Sequence, residues 1–231
     1  GPGAATAAFL CAASIGEDTG GSIRNPAAYC GIVGLRPTWG RVSRHGMLSG
    51  CWSMDTLGPM ARTVEDCAVL FEAIAGHDPK DQYTWKEPVP DYRGALNGNI
   101  RGLKIGLIKE SLDPSIVDQE VIDKIRLAAA KLENLGAVVE EISMPTMAQA
   151  ALITMVISFS EAASVYSKII RTRPRSVGHA VQVRLLAAKL FPAEVYIKAV
   201  KLRQLIRQEV MMALERFNAL ISPSAATEAP A

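Results

Sequence analysis

The chain has 231 residues, 49% hydrophobic and 21% charged, enough apolar material for one large domain or two small ones with a substantial core. Its net charge of +2 comes from 25 Lys and Arg against 23 Asp and Glu scattered over several segments, so charge alone gives no ground for a nucleic-acid groove. Four cysteines, 19, 21 and 16 residues apart with no C-x-x-C pair, read as buried free thiols in a reducing cytosol, and a soluble cytoplasmic protein is expected.

In chain order, Ala4 to Ala13 is a small-residue run that favours helix, and Ser14 to Asp18 leads into a glycine pair. Pro26 fits a first helical turn but no helix interior, so a helix between Ser22 and Tyr29 is short or starts late. "GIVGLRPTWGRVSRHGML", Gly31 to Leu48, mixes β-branched residues with glycines and reads as short strands joined by tight turns. Thr63 to Ala75 is the clearest helix: Thr63 caps it, Asp66 takes the capping-box position, and Val64, Cys67, Ala68, Phe71 and Ile74 form an apolar stripe that Gly76 ends.

The stretch from His77 to Gly102 is studded with Pro and Gly and reads as a surface excursion. Beyond it come a strand at Leu103 to Lys109, a helix from about Ser115 to Leu135, a stop at Gly136 and a second strand in "AVVEEIS". That order is a βαβ unit, implying a parallel pair with a right-handed crossover. From Met147 onward the pattern is helical with breaks at Pro174 and Pro192, and "FNALISPSA" closes as a strand. The most apolar stretch, Ala148 to Phe159, is about a dozen residues long, short of the ~20 that span a bilayer. The fold class predicted is α/β, a mixed β-sheet core surrounded by helices.

"GEDTGGSIRNP" is the stretch with chemical promise. If Thr19, Gly20, Gly21 and Ser22 curl into a nest, their unhindered N–H groups converge where an anion can sit, with the Ser22 hydroxyl at the rim. A phosphate cradle needs G-x-x-x-x-G-K-[ST] or G-x-G-x-x-G, and neither occurs here. A hydrolase elbow needs G-x-S-x-G, which Gly21-Ser22-Ile23-Arg24 breaks. A plain turn explains the glycines but not the adjacent hydroxyl. A serine must lose its proton to attack. The three histidines, His45, His77 and His179, read as surface or supporting residues, which leaves a Lys or Ser relay to be considered.

Gly16 to Gly46 and Ser53 to Pro79 resemble the amidase signature enzymes, with Asp18, Gly20, Gly21, Ser22, Arg24, Pro26, Cys30, Gly31, Gly34, Pro37, Gly40, Gly58, Arg62 and Asp66 among the residues in register. The resemblance implies a Ser–Ser–Lys triad, with Ser22 as the nucleophile that forms an acyl-enzyme and Thr19, Gly20, Gly21 and Ser22 as oxyanion-hole donors. It also places the bridging serine and the lysine upstream of Gly1. A lysine base must be desolvated or set beside another cation before its neutral form is populated. The 231-residue chain by itself is therefore expected to be inactive.

The same resemblance implies one amidase signature domain cut at both ends, with residues 1–80 as the signature core, 81–102 as the excursion, and 103–231 as the βαβ unit and helical cover. Asp18 and Arg24 are expected to hold the loop in shape. Ser43, Arg44 and Asp55 read as supports, and Trp39, Trp52 and Met54 as core or acyl-pocket residues. No cluster has metal-ligand spacing, so neither metal nor cofactor is expected. The expected partner is a small-molecule amide, with no membrane and no direct nucleic acid; a homo-oligomer stays open. Arg171, Arg173, Arg175, Lys198, Lys201, Arg203 and Arg207 read as a solvated face. Contact with tRNA or another polypeptide is the alternative, since the A subunit of aspartyl/glutamyl-tRNA amidotransferase belongs to this family. "SVGHAVQVRLLAAKLF", Ser176 to Phe191, retains only Arg184 of the basic run in that family member, which favours a stand-alone amidase, with an inactive binding module as the non-enzymatic alternative.

Overall fold

The structure, a computed structural model, describes residues 1–230. In chain order it forms α1 (Pro2–Ala7), β1 (Ser14–Asp18), α2 (Arg24–Tyr29), β2 (Val33–Gly34), β3 (Thr56–Ala61) and α3 (Val64–Ile74). Next come β4 (Lys104–Ile108), α4 (Gln119–Asn134), β5 (Val138–Ile142), α5 (Ala150–Val165), α6 (Ser167–Thr172), α7 (His179–Ala188), α8 (Ala193–Leu214) and β6 (Ala219–Ile221). The chain divides into two compact units, unit 1 being Gly1–Leu96 with Thr154–Ala199 and unit 2 being Asn97–Ile153 with Val200–Ala231. The segment 154–199 thus groups with the signature core rather than with the βαβ unit.

Unit 1 is built on an antiparallel ladder of order β1-β3-β2. Its register pairs Ser14 with Met60 and Asp18 with Thr56, so the end of β1 meets the start of β3. Ile23, Met60, Ala61, Cys67 and Phe71 form its apolar centre, each at most 6% exposed. α3 starts where its cap was read: Thr63 Oγ accepts from Asp66 N at 3.0 Å. Pro26 stands at the third position of α2, where its missing N–H is one that no helical carbonyl could reach.

Unit 2 is a parallel ladder of order β5-β4-β6, with Lys104 opposite Val138 and Ile105 opposite Ala219. Leu107, Leu112, Val117, Ile122 and Ala129 form its core, with Val121, Ile125, Val139 and Ile221 packed against them. Gly136 turns the chain from α4 to β5 at φ 99, a left-handed conformation that a Cβ would strain. The α/β class with strands of both senses is present, distributed over two three-stranded ladders.

Several local expectations are corrected. The helix read over Ala4 to Ala13 ends at Ala7, Phe9 turns to a left-handed φ of 60, and Ser14–Asp18 is a strand. Between Gly31 and Leu48 only β2 and one bridge, Val42 with Ala75, are extended pairing; Pro37 and the glycines give the rest to turns. The apolar helix is longer than the dozen residues read from sequence. It runs over Pro145–Val165, 21 residues with mean hydropathy 1.4, long and apolar enough to cross a bilayer by length and composition. About 28% of its apolar stretch is buried, and it carries the buried Glu161, whose carboxylate takes four hydrogen bonds inside unit 1.

Candidate active site

The glycine-serine turn hangs from the end of β1 and runs into α2, and its shape is set by Asp18. That side chain is fully buried. Its Oδ1 accepts from Gly21 N at 2.7 Å and its Oδ2 from Ile23 N at 3.1 Å and Arg24 N at 3.3 Å. Arg24 adds Nε to Oδ2 and Nη2 to Oδ1, each at 3.0 Å. Arg36 Nε lies 3.3 Å from both Asp18 Oδ1 and the Asp18 carbonyl, and its Nη2 reaches Met54 O at 2.6 Å. Burial by itself pushes the Asp18 carboxyl up, but Arg24 and the N–H groups of Ile23 and Gly21 outweigh it and hold the group below the usual carboxylate range.

Around this anchor the chain exposes Ser22 and buries its neighbours Gly21 and Ile23. Gly21 sits at φ 134 with Asn25 close behind it, so a side chain there would be both strained and in collision. Gly20 faces Thr154 of α5, whose Cγ2 would touch a Cβ at 3.0 Å. The Gly21 N–H is spent on Asp18, which removes it from the row of four donors expected from the sequence and leaves it to shape the turn. Among the described residues, the N–H groups of Thr19, Gly20 and Ser22 and the Ser22 hydroxyl have no hydrogen-bond partner.

The supports read from sequence fall close by. Asp55, fully buried, accepts from Thr19 Oγ at 2.7 Å on Oδ1, and on Oδ2 from Ser49 Oγ at 2.7 Å and from Gly50 N and Cys51 N at 2.8 Å. Arg44 supports the same segment, its Nη1 donating to the Asp55 carbonyl at 3.4 Å and the Trp52 carbonyl at 2.5 Å while its guanidinium stacks on Trp39 at 4.5 Å; Ser43 lies elsewhere, donating to Asp78 at 2.6 Å. His77 pairs with Thr84 at 3.1 Å. Trp52 is half exposed and, with Ser160, Glu161, Ser164, Val165 and Tyr196, lines a cleft of about 310 Å³. Burial, then the Glu161 carboxylate, pushes the Cys51 thiol up to about 12, leaving it an inert hydrogen-bond donor. Among the described residues no His, Cys, Asp and Glu gather as a metal site.

Sequence reasoning missed Glu17, Arg36 and Thr154. Arg36 sits on the strand side of the Gly-rich segment and Thr154 lies far along the chain, so neither shows in local spacing; Glu17 is adjacent to Asp18 and was open to notice.

The site is thus an exposed serine on a glycine turn, pinned by a buried carboxylate, with main-chain donors free beside it. The amidase family model matches residues 1–231, and the chain belongs to that family. It is 40% identical over 254 residues to the A subunit of the glutamyl-tRNA(Gln) amidotransferase of Thermosynechococcus vestitus, an alignment covering 99% of this chain and 52% of that protein. Among solved structures it matches the A subunit of the glutamyl-tRNA(Gln) amidotransferase from Thermotoga maritima with TM-score 0.82 and 30% identity, over 98% of this chain and 50% of the other. A chain from a vestigial protein complex bearing on the origins of an s-triazine catabolic enzyme matches with TM-score 0.92 and 31% identity, over 100% of this chain and 49% of that one. The chain spans about half the length of the curated relatives it matches.

Proposed function

We propose that the full-length protein is an amide hydrolase in which Ser22 attacks the carbonyl carbon of a small acyl amide. The Oγ–C bond forms as the hydroxyl proton passes to a base. The carbonyl oxygen, now an anion, is received by the N–H groups of Thr19, Gly20 and Ser22; single donors of this kind are worth roughly 10²–10³ in rate. Collapse breaks the C–N bond, the amine leaves with the proton, and water then cleaves the acyl ester to the carboxylate. The family resemblance supplies the base as a lysine acting through a second serine.

The observation that supports this reading is the exposed Ser22 on a turn whose three main-chain N–H groups, Gly21, Ile23 and Arg24, are fixed by buried Asp18. Ser22→Ala in the full-length protein should cut amide hydrolysis by about 10⁶-fold, to background. Turnover of Ser22→Ala near the wild-type rate would overturn the assignment.

A second reading is the A subunit of a tRNA-dependent amidotransferase, with glutamine as the amide. It is favoured by relatives of that name at 38 to 42% identity. Glutaminase activity that appears only when a second polypeptide co-purifies selects it. Activity of the isolated polypeptide on simple acyl amides selects the stand-alone amidase.

A further inference from the structure

Thr19 Oγ lies 2.8 Å from Glu17 Oε1 and 2.7 Å from Asp55 Oδ1. A threonine hydroxyl owns one hydrogen, so it donates to one of these oxygens. The other short contact is a hydrogen bond only if a carboxyl supplies a second proton. Three donors already converge on Asp55 Oδ2, Ser49 Oγ, Gly50 N and Cys51 N at 2.7 to 2.8 Å, whereas Thr19 Oγ is the one donor set against the Glu17 carboxyl among the described residues. The extra proton therefore belongs on Glu17.

We propose that Glu17 is a positioning residue of the acyl-transfer site, holding a proton in the chain Glu17 O–H to Thr19 Oγ and Thr19 O–H to Asp55, and so fixing the Thr19 peptide whose N–H faces the reacting oxygen. The proposal rests on the reading of Ser22 as nucleophile. The groups facing Glu17 are Asp55 at the start of β3, Asp18 beside it on β1, Arg36 after β2, and Tyr166 just past α5. Arg36 is the cation of this set, and its guanidinium is engaged with Asp18 and Met54 O. Burial, with the Asp55 and Asp18 charges adding and the Thr19 hydroxyl opposing, pushes the Glu17 carboxyl above its ordinary value of 4.5. The sign follows. Stability from the shared proton is fully present below the ordinary glutamate value and is lost as the pH rises through the raised folded value. Above it, two carboxylates compete for one hydroxyl and repel, and Thr19 is released.

The test uses the full-length protein and two readouts. The first is the pH profile of Ser22 acylation by p-nitrophenyl acetate, and the second is the urea midpoint across the same pH range. For wild type both should fall together on the alkaline side of the Glu17 transition. Glu17→Gln, which keeps a donor to Thr19 without a titrating proton, should remove that limb from both curves and acylate about tenfold faster than Glu17→Ala, the worth of one retained hydrogen bond. A Glu17→Gln profile superimposable on wild type, or acylation no faster than Glu17→Ala, overturns the proposal. Ser22→Ala keeps the two questions separate. If it still acylates, the nucleophile assignment falls, while the midpoint curves of wild type and Glu17→Gln still decide whether the proton is shared.

Discussion

At the end of β1 and the start of β3 the buried side chains are Asp18, Asp55 and Thr56, whereas along β4 they are Ile105, Leu107 and Ile108. The contrast extends through the molecule: every buried polar or charged side chain among the described residues, from Thr6 to Glu161, falls in unit 1. The core of unit 2 is ordered by removal of apolar surface from water, a non-directional force. Unit 1 orders its central turn by directional bonds to two carboxylates, and each bond specifies a partner. A fold that needs only burial can be built the first way. A turn that must present free N–H groups in one geometry needs the second.

That contrast can be broken most severely at Asp18. Asp18→Asn removes the charge facing Arg24 and Arg36 and puts an NH₂ against N–H donors, so a loss of about 3–5 kcal/mol is expected from several hydrogen bonds to a buried carboxylate lost together. Urea unfolding measures it, and a loss below about 1 kcal/mol would show that the turn is held by packing instead. Acid titration sharpens the same point. Because the Asp18 carboxyl is held below its ordinary value of 3.8, its contribution is present above that value and lost as the pH falls through the lower folded one. Asp18→Asn should flatten this part of the acid limb.

Next in size is a cavity in the other unit. Ile122 is 2% exposed inside the core of unit 2, and Ile122→Ala should cost about 2–5 kcal/mol by lost burial and the void left behind. No pH dependence should accompany it, since the side chains packed in that core are aliphatic. An acid-sensitive loss in this variant would erase the distinction between the two units.

The same distinction explains what the sequence made legible. Unit 2 was readable as strand, helix, strand and final strand because Ile105, Leu107, Ile122 and Ala129 repeat at the periods of the elements that carry them, and periodicity is a local signal. α3 was readable for the same reason together with its Thr63 cap. Ser22, the glycines, Asp18 and Arg24 were legible as a cluster because they are contiguous. Arg36 and Thr154 were not, since 18 residues separate Arg36 from Asp18 and the approach of Thr154 to Gly20 depends on how α5 packs. The helix read over Ala4 to Ala13 stops early because helix propensity, even alanine's, is small beside tertiary interactions, and Ser14–Asp18 pairs with β3 directly after it.

The smallest effect expected lies at Thr63, where a directional bond serves a helix end in unit 1 rather than the turn. Its hydroxyl accepts from Asp66 N at 3.0 Å, satisfying one of the first N–H groups of α3, while Glu65 and Asp66 set negative charge against the positive end of the helix dipole. Thr63→Ala should therefore cost about 1 kcal/mol in urea unfolding, and Thr63→Ser should recover most of it. Because the cap is exposed and joins no chain of bonds to Asp18 or Asp55, combining Thr63→Ala with Asp18→Asn should give the sum of the separate losses within about 0.5 kcal/mol. A larger discrepancy would mean that the carboxylate network reaches α3 through the Thr56–Ala61 strand, and that directional order in unit 1 is one cooperative system rather than two.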